Sequence, residues 1–272
     1  MRLIGIVYSV NDPAGAGAAA RLVRLGFRRA DCRAVECWSR PGVTVAGFDE
    51  DVIEFDFLDD AMPEAEYFIV LSRHSSQAGV KSYTVHHTGN FGGEALYGGR
   101  PGELGIANPA VAFSLLRELV KRAEARGRLE EYRVSYEATH HGPTSLKKPL
   151  TFVEIGSSQT EWADEVNHEI LAESVAGLLE SGPAECRPAI GIGGGHYPWK
   201  HTEYSLRERV CFGHLLPKYA IEYLSAEVLE QMIGRTYGSV ELIVVEKKST
   251  RLEHRVMIES FAASKGLEVV YI

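Results

Sequence analysis

Short apolar runs recur along this chain, and each tends to end in polar residues. Leu3 to Tyr8, Tyr67 to Leu71, Arg133 to Tyr136, Leu150 to Val153, Ala189 to Ile192, Val240 to Val245 and Leu267 to Ile272 have the length and composition of strands. Shorter strands are expected around Ala34 to Trp38 and Val52 to Phe55. Tyr67 to Leu71 is apolar throughout, as a strand covered on both faces must be. Between these runs the periodicity changes to helical. Asp12-Pro13 can cap a helix over Ala14 to Leu25 despite Gly15 and Gly17. Asn108-Pro109 opens a second, in which Leu115, Leu116, Leu119, Val120 and Ala123 share a face up to Gly127. The capping-box pattern Ser158-Gln159-Thr160-Glu161 opens a third, which runs through Leu179 to Gly182-Pro183. Ser225 to Ile233 and Thr250 to Ser264 complete the set, the last with a second box at Thr250 and Glu253. Alternation of this kind predicts one layered α/β domain over residues 1–272, a mixed or largely parallel sheet flanked by helices.

Composition narrows the class. Apolar residues make up 45% and charged residues 24% of 272, ordinary values for a globular chain. No apolar run approaches the ~18 residues of a membrane helix, and Met1 to Ser9 is too short for a signal peptide, so a cytoplasmic protein without a membrane partner is expected. Cys32, Cys37, Cys186 and Cys211 form no CxxC pair and read as reduced thiols. The net charge of −8 argues against a generic nucleic-acid coat and against DNA as a partner. Local basic patches remain, with Lys147, Lys148 and Lys200 nearest the suspected site. A monomer or a homodimer is expected, with nothing in the sequence to separate them.

The candidate chemistry lies at the C-terminal ends of the strands, where open α/β sheets bind ligands. His74, His86, His87, His140, His141 and His196, six of ten histidines, follow such runs. Imidazole serves as metal ligand or general base, and the bland alternative for any one of them is a packed core histidine. Neighbouring residues of a regular strand face opposite ways, so only one member of each pair, His86-His87 and His140-His141, should enter a site. By the same rule Glu137 should face away from His140. Glu154 ends a strand just before Ser157 and Ser158, whose helix start could hold an anion or simply cap itself. Gly193, Gly194 and Gly195 before His196 let backbone approach a ligand but match no nucleotide loop.

Six stretches, taken in order, resemble the archaeal and plant type of D-aminoacyl-tRNA deacylase. They are Ser72 to Ser76, Thr84 to Asn90, Glu137 to Thr144, Glu154 to Ser158, Gly193 to Tyr197 and Gly213 to Tyr219. The resemblance implies hydrolysis of the ester joining a D-amino acid to the 3′ end of tRNA, a zinc cofactor, and a fold similar to peptidyl-tRNA hydrolases and phosphorylases. On that reading His140, His196 and Glu154 activate or hold the water, and His74, His86 and His141 bind metal. Thr88, Gly89, Asn90, Ser157, Ser158, Gly193, Gly194, Gly195 and Lys200 contact the substrate. Pro198-Trp199-Lys200 departs from the family's usual Ala-Pro-Arg, which alters one basic contact. Two other readings compete: a zinc amidohydrolase acting on small N-acyl amino acids, and a non-catalytic module that binds a tRNA end or a metal.

Overall fold

A computed structural model describes residues 3–76 and 79–272. In chain order its elements are β1 (Leu3–Ser9), α1 (Pro13–Leu22), β2 (Arg28–Arg29), β3 (Glu36–Arg40), β4 (Val43–Phe48), α2 (Leu58–Ala61), β5 (Ala65–Ser75) and β6 (Ser82–His86). Then come α3 (Pro109–Ala125), β7 (Arg133–Tyr136), β8 (Leu150–Ser157), α4 (Gln159–Trp162), α5 (Glu165–Ser181) and β9 (Arg187–Ile192). The chain ends with α6 (Trp199–Glu208), β10 (Val210–Leu216), α7 (Ala226–Gly234), β11 (Leu242–Val245), α8 (Leu252–Lys265) and β12 (Glu268–Tyr271).

The expected α/β layering is present, but the strands form two sheets. One has eight strands in the order β2-β3-β4-β1-β5-β8-β6-β7, and the other has four in the order β10-β9-β11-β12. The small sheet is wholly parallel. The large one is parallel at its centre and antiparallel at β2/β3, β3/β4 and β6/β8. Helix α3 packs against β6 of the large sheet and β10 of the small one. A single apolar cluster therefore runs from Ile6 and Val153 through Leu115 and Leu119 to Phe212 and Val244.

Local chemistry accounts for the helices. Asp12 caps α1 by accepting from the N–H groups of Ala14 and Gly15, at 2.9 and 3.3 Å. Gly15 lets α1 lie directly on β5, since a Cβ there would run into the carbonyl of Leu71. The helix expected from Ser158 to Leu179 is broken. Asp164 recaps the chain by accepting from Val166 N–H at 2.8 Å, so α4 ends at Trp162 and α5 starts at Glu165. Val52 to Phe55, expected as a strand, is a 3₁₀ turn over Val52–Phe57 capped by Asp51, with Phe55 and Phe57 packed edge-on against Phe48. The box at α8 sits one residue later than expected, with Arg251 N–H donating to His254 Nδ1.

The cysteines require a correction. Cys32–Cys37 and Cys186–Cys211 are disulfides rather than reduced thiols. The second pair is 25 residues apart in sequence, and β9 lying beside β10 brings its Cα atoms to 5.7 Å.

Candidate active site

Three neighbouring strands of the large sheet build one wall by alternation alone. Ser72 of β5 lies opposite Glu154 of β8, and Glu154 lies opposite Thr84 of β6. The same face two residues along carries His74 on β5 and His86 on β6. Ser72 Oγ donates to Glu154 Oε1 at 2.7 Å. His74 Nδ1 and His86 Nε2 each stand 3.5 Å from Glu154 Oε2.

The other wall comes from residues 137–141, which follow β7 and join the two sheets. Glu137 N–H donates to Val85 O of β6 at 3.0 Å. Ala138 N–H then donates to His196 O, beyond β9, and Thr139 N–H to Leu215 O of β10, at 2.8 and 2.9 Å. Regular strand geometry therefore ends at Tyr136, and the opposite-face rule does not apply beyond it. Contrary to the expectation, Glu137 faces His140, with Oε2 3.5 Å from His140 Nε2 and 3.0 Å from His196 Nε2. Its Oε1 is 3.0 Å from His74 Nδ1. Glu137 is the fully buried centre of the site.

The two histidine pairs also differ from one another. His86 enters the site, whereas His87 turns away, its Nδ1 donating to Gly213 O at 2.7 Å and its Nε2 accepting from Asn108 N–H at 3.1 Å. His140 and His141 both enter. Their rings are 4.4 Å apart, and each lies within 4.8 Å of the His86 ring. A left-handed backbone at His141, φ 44°, makes this possible.

Hydrogen bonds define the tautomers. His140 Nδ1 lies 2.8 Å from Ala138 O, His141 Nδ1 2.6 Å from Gly142 O and His86 Nδ1 3.3 Å from His87 O. A carbonyl oxygen only accepts, so each Nδ1 carries hydrogen. Burial, then the neighbouring imidazoles, holds His140 well below the usual histidine range and His141 down to about 4, so both are neutral with Nε2 lone pairs free. Burial opposes charge on His74 as well, but Glu137 and Glu154 overcome it and push His74 up to about 11. Both carboxyls stay ionised: burial raises them, and His196 with His74 at Glu137, and His86 at Glu154, bring them well below the usual range.

The donors of His86, His140 and His141 lie within 4.8 Å of one another, as do those of His74, Glu137 and His196. Neither oxygen of Glu137, nor His86 Nε2, receives an aligned hydrogen bond, although charged or polar groups stand at 3.0–3.5 Å. Buried polar atoms left in this way are a poor match for a closed hydrogen-bond network and a good one for a cation. Burial opposes charge on His86, but Glu154 and Glu137 raise it; with His140 and His141 neutral and held from behind by carbonyls, and carboxylates beside them, the set suits zinc once His86 gives up its Nε2 proton.

A cavity of about 770 Å³ opens on this centre, lined by His74, His140, His141, Glu154 and His196. Its lining also includes residues to which the sequence had given no site role: Ser9 at the end of β1, Asn11 after it, and Asp49 and Asp51 after β4. Asp12 also lines it but was legible only as a cap.

The expected substrate contacts take varied positions. Thr88 and Gly89 lie behind the histidine segment: Thr88 Oγ1 donates to Pro143 O at 2.6 Å and Gly89 N–H to His141 O at 2.8 Å. Asn90 holds the loop carbonyls of Gly98 and Arg100. Ser157 is buried at the end of β8, and the Ser158 hydroxyl and N–H both bond to Glu161, which closes the helix start. The N–H groups of Gly193 and Gly194 are taken by Leu216 O and Ser249 Oγ, while Gly195 is exposed. Lys200 pairs with Glu246 at 3.3 Å.

Imidazoles and carboxylates converging at strand ends between two sheets define an α/β enzyme of hydrolytic type. Similarity to known proteins gives the particular family. Residues 61–270 match the family model described as D-aminoacyl-tRNA deacylase, and the chain belongs to that family. A protein of Desulfurococcus amylolyticus named D-aminoacyl-tRNA deacylase is 55% identical over 99% of this chain and 100% of its own length. One of the same name from Staphylothermus marinus is 52% identical over the whole of both chains. A crystal structure described as that of a conserved protein of unknown function superposes with a TM-score of 0.92 at 30% identity, covering 99% of this chain and 95% of that one. No helix among the described residues is long and apolar enough to cross a membrane.

Proposed function

We infer that this chain hydrolyses the ester of a D-aminoacyl-tRNA, releasing free D-amino acid and tRNA, and that it does so in the cytoplasm alongside translation. The reading is carried by the His140 and His141 Nε2 lone pairs, clustered with His86 beside Glu137 and Glu154 at an open cavity. Membership of the family supports it over an amidohydrolase acting on small N-acyl amino acids.

Ester hydrolysis needs a deprotonated water, a place for the charge that develops on the carbonyl oxygen, and a proton for the leaving ribose oxygen. Glu137 and Glu154 are ionised and buried, so either can take the water's proton, Glu137 Oε2 being nearest His196. His74 is protonated between these carboxylates, and its Nε2 lies 2.7 Å from Tyr197 Oη, a path by which a proton can reach the leaving oxygen. His140 and His141 would hold zinc, joined by His86 on loss of its Nε2 proton. When bound, zinc supplies Lewis acidity toward a carbonyl and lowers the pKa of water to near ~7.

The test compares matched D- and L-tyrosyl-tRNA, with and without a strong chelator, by release of tyrosine. Release from the D-ester alone, lost with chelator and restored by zinc, is the expected result. Equal release from both esters, or from neither, refutes the reading.

A further inference from the structure

We propose that the C-terminal rim of the four-stranded sheet is the seat of the single-stranded 3′ end of tRNA, with the Trp199 ring as a stacking platform for a base and Lys218, Lys247 and Lys248 as its phosphate contacts. The proposal rests on the deacylase reading above and says where that substrate lies.

All strands of the small sheet are parallel, so the segments after β9, β10 and β11 emerge at one edge. They are tied to one another: Lys218 N–H donates to Gly194 O at 2.8 Å, and Gly194 N–H to Ser249 Oγ at 3.0 Å. This edge continues directly into the catalytic centre. Tyr197 places its hydroxyl 2.7 Å from His74 Nε2, and its ring stacks on Trp199 with centroids 5.2 Å apart and planes 22° from parallel. Trp199 is 39% exposed and Tyr219 59% exposed, large apolar surfaces for a rim so near a polar site.

Charge gives the polarity. Lys218, Lys247 and Lys248 are exposed and make no ion pair among the described residues, whereas Lys200 is held by Glu246. The cavity's lining carries Asp12, Asp49 and Asp51 together with Arg73, which pairs with Asp51 at 3.9 Å and donates its backbone N–H to Asp12. A phosphodiester chain is attracted to the unpaired lysine rim, in a protein whose net charge of −8 otherwise disfavours RNA. Aromatic rings beside lysines, next to the point where the chain must end, match the way proteins hold single strands without reading a long sequence.

The experiment uses the full chain and D-tyrosyl-tRNA. Trp199→Ala is expected to raise KM about tenfold with kcat within about twofold, and Trp199→Phe to restore KM, since any aromatic face stacks. Replacing Lys218, Lys247 and Lys248 by Ala should flatten the salt dependence of kcat/KM by roughly two in log–log slope, from ~0.7 per phosphate contact. The trinucleotide CCA should compete with substrate for the wild type and quench its tryptophan fluorescence, and the quench should vanish in Trp199→Phe. An unchanged KM in Trp199→Ala, or a fall in kcat at constant KM, overturns the proposal. If the wild type releases no tyrosine, the deacylase reading fails first. The CCA titration then judges the rim by itself, and absence of quenching overturns it.

Discussion

Two pairs of adjacent histidines, chemically identical, do different work. His86 is the last residue of β6 and His87 follows it directly with the strand's alternation kept, so the rings part to opposite faces, one into the site and one into a hydrogen-bonded core position. His140-His141 lies past the end of β7, on a segment held at both sides by other strands, and both rings enter the site. The difference shows that a strand's end, more than its composition, decides how many ligands it can deliver.

The strongest way to break that comparison is at the second pair. His140→Ala and Glu137→Gln should each lower kcat by about 10²–10⁴, with the thermal midpoint of His140→Ala kept near that of the wild type. If either variant kept full turnover, the converging pair would be structural like His87. Next in size is His87→Ala, which strips partners from the buried Gly213 O and Asn108 N–H. Its cost should be about 2–3 kcal/mol in denaturant unfolding, with kcat of the folded enzyme retained. A loss of turnover without loss of stability would place His87 with the catalytic set.

The smallest effect concerns other imidazoles of the His87 kind. Burial lowers His201 to about 4 and His214 to about 3, so both are neutral when folded. An unfolded chain takes up protons near pH 6.5, the folded one only near pH 4 at His201 and near pH 3 at His214. Their stabilisation is therefore complete above pH 6.5 and is lost as pH falls from about 6.5 to about 4 for His201 and to about 3 for His214. Denaturant midpoints measured across this window should fall with pH, and less steeply in His201→Gln. A flat profile would contradict the assigned neutral state.

Much of the site was legible before the fold was known, because strand ends carry their own punctuation. His74, Glu154 and His196 each follow an apolar run and precede Ser or lie after Gly. The division into two sheets was not. α6, from Trp199 to Glu208, is mostly charged and polar, and β10 is interrupted by Gly213 and His214, so neither showed a clear period. β4 was hidden similarly by Gly47, where a Cβ would strike the Tyr8 ring. Glu137 was placed on the wrong side because β7 stops one residue before it, and strand termini are the least readable feature of any pattern. The Cys186–Cys211 disulfide depends on which strands pair, which spacing does not encode.

The five residues from Glu137 to His141 have one more consequence. They touch the large sheet through Val85 and the small one through His196 and Leu215, so the donor atoms around Glu137 register how the two halves are aligned. Contacts of 3.0–3.5 Å tolerate little sliding. The segment thus acts as an alignment gauge, and turnover reports on docking of the halves before either has melted. On heating, activity should disappear ahead of helical signal, and the amides of Ala138 and Thr139 should exchange with solvent in step with that loss.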